Sequence, residues 1–279
     1  MVVLVTGRIR ADLQRLLNEP WIFDVIVAEN GAVLHFPHSG RSILLGQSPP
    51  QAFTTELRRR DIPFFAGECV VEMDAQYAAA TLSVIHDLEL PLVLAFNRSR
   101  LMVLPQAISK ATGLREALRT VRLSEHNTVA VGDAENDHEL LAICELGVAV
   151  DWGSDALKAM ADEVLEGEGP QAVAGFIRRT VQEDRRLAPN RIGKGRLHLG
   201  ICEGGDALTL SIRDRNILVI GDTQSGKSWV AGLLCEQLIL QHYCVCVIDP
   251  EGEYATVETL PSVVVIDVAQ VFRSSKMSN

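Results

Sequence analysis

Apolar residues in this chain come in short runs separated by amphipathic stretches. VVLVT at 2–6 is a run of strand length, and ADLQRLLNE at 11–19 puts Leu13, Leu16 and Leu17 on one helical face. DVIVAEN closes into an Asn30-Gly31 turn. A helix is predicted over 50–60, then ECVVEM and PLVLAF as strands around a helix at 75–88, then RLMVLP up to Pro105. Helix 109–120, strand NTVAVGD, helix 135–145, strand GVAV and helices at 154–162 and 170–183 follow. This alternation predicts a doubly wound α/β domain with a mostly parallel sheet over residues 1–183.

The pattern changes at EDRRLAPNRIGK, 184–195, a charged stretch with Pro and Gly that reads as a linker. Beyond it, 196–212 reads as a hairpin turning at Gly204-Gly205-Asp206. NILVI, CVCVIDP and SVVVIDV are β-rich strands, with a helix after the first.

Composition narrows the class. The chain has 279 residues, of which 47% are apolar and 22% charged, enough for one large or two ordinary domains. A net charge of -10 argues against general nucleic-acid binding. No apolar run reaches the roughly 18 residues of a membrane span, and no signal-peptide pattern stands at the start. The six cysteines form no CxxC pair and read as reduced thiols of a cytoplasmic protein. His35 and His38 flank Pro37 and read as solvated loop residues.

Two segments carry chemistry. GDTQSGKS fits the phosphate-loop pattern G-x-x-x-x-G-K-[ST] in full, through Gly221, Asp222, Thr223, Gln224, Ser225, Gly226, Lys227 and Ser228. The glycines let backbone N–H groups face a phosphate, Lys227 reaches the β- and γ-phosphates of ATP, and Ser228 ligates Mg²⁺. With VCVIDPEGEY downstream, the segment resembles the opening of the HerA/FtsK-like ATPases. That resemblance implies a partial P-loop domain over 196–279 and nucleic acid as a partner by analogy alone. Asp267 ends an apolar strand and is a candidate Walker B carboxylate. Asp249, Glu251 and Glu253 are either near the phosphates or turn residues.

The second segment is VAVGDAENDHELL, which places Asp133 and Asp137 around a loop after a buried strand, with Asn136 between them. On spacing alone this is either a Mg²⁺ site or a helix cap with a solvated turn. TGR at 6–8, AENGA at 28–32, ISK at 108–110, GDAEND at 132–137 and MADEVLEGEGPQAV keep one order along the chain. Together they resemble the haloacid dehalogenase superfamily, in its Cof-type sugar-phosphatase-like branch. The resemblance implies a Rossmann-like core at 1–34 and 100–183 with a small α+β cap at 35–99. It implies that Thr6 binds a substrate phosphoryl, Lys110 neutralises it, and Asp133 and Asp137 hold Mg²⁺ with Asn136 in support. The reaction implied is hydrolysis of a small phosphorylated metabolite through an aspartyl-phosphate. That family carries its nucleophile in a D-x-D motif one strand before the Thr motif. No carboxylate precedes Thr6 here. The expectation is therefore a chain lacking that strand and impaired in the chemical step, with a nucleotide-binding regulatory or adaptor protein, or a fragment of a HerA-like ATPase without phosphatase activity, as the alternative.

Overall fold

In the computed structural model, the chain divides into two compact units, Met1–Arg191 and Ile192–Asn279. The structure describes residues 1–182 except 98, then 196–212, 217–222 and 225–241, and separate positions from 243 to 263. The expected linker at 184–195, Thr223, Gln224, Glu251, Glu253 and Asp267 lie outside the described residues.

The first unit begins with β1 (Val3–Val5), α1 (Arg10–Leu16), β2 (Val25–Ala28), β3 (Val33–Phe36) and β4 (Arg41–Leu44). β1 and β2 pair in parallel, and β3 and β4 extend the same sheet antiparallel. Next come α2 (Gln51–Arg59), β5 (Phe65–Ala66), β6 (Val71–Asp74), α3 (Ala78–Asp87), β7 (Leu92–Asn97) and β8 (Arg100–Pro105). These strands form their own antiparallel sheet, ordered β5-β6-β8-β7. α4 (Lys110–Thr120), β9 (Val129–Gly132), α5 (His138–Ile143), β10 (Leu146–Val150), α6 (Asp155–Met160), β11 (Glu163–Leu165) and α7 (Gly169–Gln182) complete the unit. Its last three strands form a parallel sheet, β11-β10-β9.

The α/β alternation therefore yields a Rossmann-like core with parallel strands and a separate cap sheet. The division between them differs from the sequence expectation. The end of β3 and all of β4, inside the stretch 35–99 assigned to the cap, belong to the core sheet, where β3 pairs with β2 and β4 with β3. β8, assigned to the core, pairs with cap strands β6 and β7. The cause is non-local: period-2 alternation shows that a segment is a strand but carries no information about its partner. His35 lies on β3 rather than in a loop, 2.9 Å from Ser42 Oγ, and burial holds its imidazole below its usual pKa.

Packing is layered as the alternation requires. Val3 and Val5 pack between two clusters, one around Leu114, Leu118 and Leu141 and one around Val25, Val27 and Ala117. A separate core under the cap sheet joins Phe53 and Leu57 of α2 to Val84 of α3 and to Leu101 and Val103 of β8. α4 approaches the β2–β3 connection very closely. A Cβ on Gly113 would lie 2.5 Å from Gly31 Cα and 2.7 Å from Val27 Cγ1, and a Cβ on Gly31 would collide with the Ser109 carbonyl.

The second unit contains β12 (Arg196–Ile201) and β13 (Ala207–Ser211), the expected hairpin, and α8 (Lys227–Leu240). The expected strands at 216–220 and 244–250 form no ladder among the described residues. Leu218, Ile220 and Ile248 are 81%, 82% and 90% exposed. Apolar β-branched residues favour a strand only when a partner supplies the hydrogen bonds. SVVVIDV is described only at Val263.

Replacing Gly113 by Ala tests the close approach. Overpacking at this contact should cost about 1–3 kcal/mol. At about 2–4 °C per kcal/mol for a domain of this size, scanning calorimetry should show the first unit melting several degrees lower.

Candidate functional site

The carboxyl ends of β1, β2 and β9 converge on one network. α4 starts at Lys110 because Ser109 and Thr112 cap it reciprocally. Thr112 N–H donates to Ser109 Oγ at 3.3 Å, and Ser109 N–H donates to Thr112 Oγ1 at 2.9 Å. The Lys110 side chain is thereby directed inward, 7% exposed. Its Nζ donates to Asp137 Oδ1 at 2.7 Å and to Asn136 Oδ1 at 3.0 Å. Asp137 Oδ2 accepts from the N–H groups of Asp133 and Ala134 at 3.0 and 3.1 Å. Asn136 Nδ2 donates to Asn30 Oδ1 at 3.2 Å, and the Asn30 N–H donates to the Thr6 carbonyl at 3.0 Å. Thr6 Oγ1 accepts from the Arg8 N–H at 3.2 Å.

Thr6, Lys110, Asp133 and Asp137 line one cavity of about 860 Å³. Asn136 holds Lys110 from beside it. Asp137, expected as a metal ligand, has both oxygens engaged, one by a cation and the other by two backbone N–H groups. Among the described residues no three His, Cys, Asp or Glu side chains cluster as a metal site. Asp12, on α1, lines the same cavity.

A second buried carboxylate was not anticipated. Glu29 is fully buried and accepts from the N–H groups of Glu68 and Cys69 at 3.0 and 2.9 Å and of Arg10 at 3.4 Å. It joins the loop after β2 to the segment entering cap strand β6, and Arg10 pairs with Glu68 alongside. A Cβ at Gly67 would sit 2.6 Å from both Glu29 oxygens, so that approach needs glycine. Burial and the Glu29 charge push the Cys69 thiol up to about 11, so it stays protonated and donates to the Gly46 carbonyl. AENGA carried the only available signal, and its glutamate reads locally as a turn residue.

In the second unit, Gly226 caps α8 at φ 90°, a conformation natural to glycine, and a Cβ on Gly221 would collide with Ser225 Oγ. The Ser225 N–H donates to the Asp222 carbonyl at 3.1 Å, and Lys227 Nζ donates to the same oxygen at 2.6 Å. Lys227 and Ser228 stand in the first turn of α8.

The first unit thus combines a Rossmann-like core, a cap sheet and a lysine–aspartate pair at the strand ends. Residues 69–177 match the family of haloacid dehalogenase-like hydrolases, and residues 208–278 match the central domain of helicase HerA. A phosphoglycolate phosphatase of Methanoculleus marisnigri is 30% identical over 179 residues, covering 59% of this chain and 75% of that protein. Another, of Sulfurisphaera tokodaii, is 30% identical over 92 residues, 33% of this chain, and the match spans only 40% of that protein's length. The fold also resembles a solved haloacid dehalogenase-like hydrolase from Bacteroides thetaiotaomicron, with TM-score 0.56, 18% identity, and coverage of 63% of this chain and 85% of that one. The chain belongs to the haloacid dehalogenase-like hydrolases, in a phosphatase-like branch. Among the described residues no helix is long and apolar enough to cross a membrane.

Lys110→Met would leave Asp137 buried without its cation, at a cost of about 3–5 kcal/mol. Urea denaturation at pH 7 should show that loss, and Lys110→Met with Asp137→Asn should recover part of it.

Proposed function

We propose that the first unit is the phosphoryl- and Mg²⁺-binding part of a phosphatase acting on small phosphomonoesters, and that the loop at 221–228 binds ATP. The observation that carries the first reading is the buried Lys110, held by Asp137 and Asn136 at the rim of a cavity that Thr6 and Asp133 share. An ammonium fixed before substrate arrives stabilises a phosphoryl dianion without reorganisation. The Thr6 hydroxyl adds a donor.

The donor set fits Mg²⁺, which prefers one or two carboxylates and completes its shell with water and substrate oxygens. Asp133 is the ligand we favour. Asp137 acts on it indirectly, by holding the Asp133 N–H and neutralising Lys110. Bound there, Mg²⁺ would screen the phosphoryl charge. The relatives named phosphoglycolate phosphatases make phosphoglycolate the first substrate to try.

The ATP reading rests on the complete loop motif and on Gly226 opening α8. Lys227 would exchange the Asp222 carbonyl for phosphate oxygens.

Two titrations test these readings. Orthophosphate should bind in a Mg²⁺-dependent way and be lost in Asp133→Asn. Failure of the wild type to bind orthophosphate in the presence of Mg²⁺ would overturn the first reading. ATP should raise the thermal midpoint of the wild type, by the equivalent of about 2.7 kcal/mol at a hundred times Kd. Lys227→Ala should abolish that rise while leaving orthophosphate binding intact.

A further inference from the structure

The cavity has a cap-side wall with its own chemistry. Successive side chains on a strand face opposite ways, and on β8 Leu101 and Val103 pack toward α2 and α3. Arg100 and Met102 therefore face the other way, and both line the cavity. Cross-strand register sets Phe65 opposite Glu72, Glu72 opposite Met102, and Arg100 opposite Asn97. Phe65, Glu72 and Asn97 line the same cavity. Arg100 is the one cation on the described strands of the cap sheet.

Its guanidinium is oriented from one side only. Arg100 Nε donates to Glu72 Oε1 at 2.7 Å, and the guanidinium carbon lies 6.0 Å from the Phe65 ring centroid. Glu72 is mostly buried, its side chain 18% exposed, while that of Arg100 is 42% exposed. Holding the Nε edge leaves the two terminal nitrogens for a ligand. That planar fork matches a carboxylate and takes a neutral hydroxyl only through ordinary single bonds.

We propose that Arg100, held in place by Glu72, is the residue that reads the leaving group, and that it favours phosphomonoesters bearing a second anionic group, a carboxylate, over neutral alcohol phosphates. This rests on the reading of Thr6 and Lys110 as the phosphoryl-binding end. The two cations then address the two anionic groups of one ligand, Lys110 from the core and Arg100 from the cap. Glu72 is a positioning residue, acting through Arg100.

The test is calorimetric titration of residues 1–279 in saturating Mg²⁺ with orthophosphate, 2-phosphoglycolate and 2-hydroxyethyl phosphate. The last replaces the carboxylate by an alcohol. 2-Phosphoglycolate should bind about tenfold tighter than the alcohol, a ratio that corresponds to one charge-assisted contact. Arg100→Met should bring the two ligands within about twofold and leave orthophosphate affinity unchanged, which also shows that the variant is folded. Arg100→Lys, which keeps the charge and loses the fork, should give an intermediate ratio, and it serves alone if the Met variant does not fold. A wild-type ratio near one, or a ratio that survives both substitutions while orthophosphate binds normally, would overturn the proposal. Failure of the wild type to bind orthophosphate would instead overturn the phosphoryl-site reading beneath it.

Discussion

Lys110 and Asp137 form an ion pair that water barely reaches, with side chains 8% and 5% exposed. Burying two charges costs several kcal/mol per ion, and mutual attraction offsets this only when the remaining polar atoms are satisfied. Here the neighbours meet that condition: Asn136 takes another Lys110 proton, and two backbone N–H groups take the second Asp137 oxygen. Those groups belong to the turn after β9, so the pair also fixes the turn that carries Asp133. Asn136 extends the network to Asn30 and, through its backbone, to Thr6. Three strand ends far apart in sequence are held at one place by a single buried charge pair and its hydrogen bonds.

That arrangement depends on backbone proximity more than on side-chain chemistry. Lys110 reaches Asp137 only because α4 descends onto the β2–β3 connection, where Gly113 and Gly31 leave no room for a Cβ. The same connection runs left-handed at Glu29, Asn30 and Gly31, with φ of 53°, 56° and 105°. For the two non-glycine residues such backbone costs roughly 1–3 kcal/mol each. The hydrogen bonds of Glu29 to the segment entering the cap offset part of it. The Glu29 carboxylate is held by backbone N–H groups, and it joins cap to core beside the residue that joins Thr6 to Asn136.

The parts of this design that were legible in sequence are the local ones. Alternation located β1, β2, β6, β7 and β8, and apolar spacing located α2, α3, α4 and α8. The residues proposed for phosphoryl and metal binding came from motif order, and the fold brings Thr6, Lys110, Asp133 and Asp137 to one cavity. Partnership was not legible. β4 was assigned to the cap and β8 to the core, and each pairs in the other sheet, because strand pairing is decided by contacts distant in sequence. The engagement of Asp137 with Lys110 was hidden for the same reason: its spacing from Asp133 suits a metal ligand, and only the arrival of α4 gives it a cation. Arg100 and Glu72 are 28 residues apart and meet through register alone.

On the readings proposed above, the two units would handle phosphate by different physical means. In the first, the cation is held by side chains that do not occupy the substrate's place, so a phosphoryl group entering the cavity displaces no bond of Asp137 to Lys110. Little affinity is spent on rearrangement. In the second, Lys227 is bonded to the Asp222 carbonyl of its own loop. A nucleotide must exchange that bond for one to a phosphate oxygen, and the loop N–H groups and the positive end of α8 must supply the difference. The first site is preorganised by a buried pair and tolerates little change in its backbone. The second would rely on backbone that only glycine provides at Gly221 and Gly226.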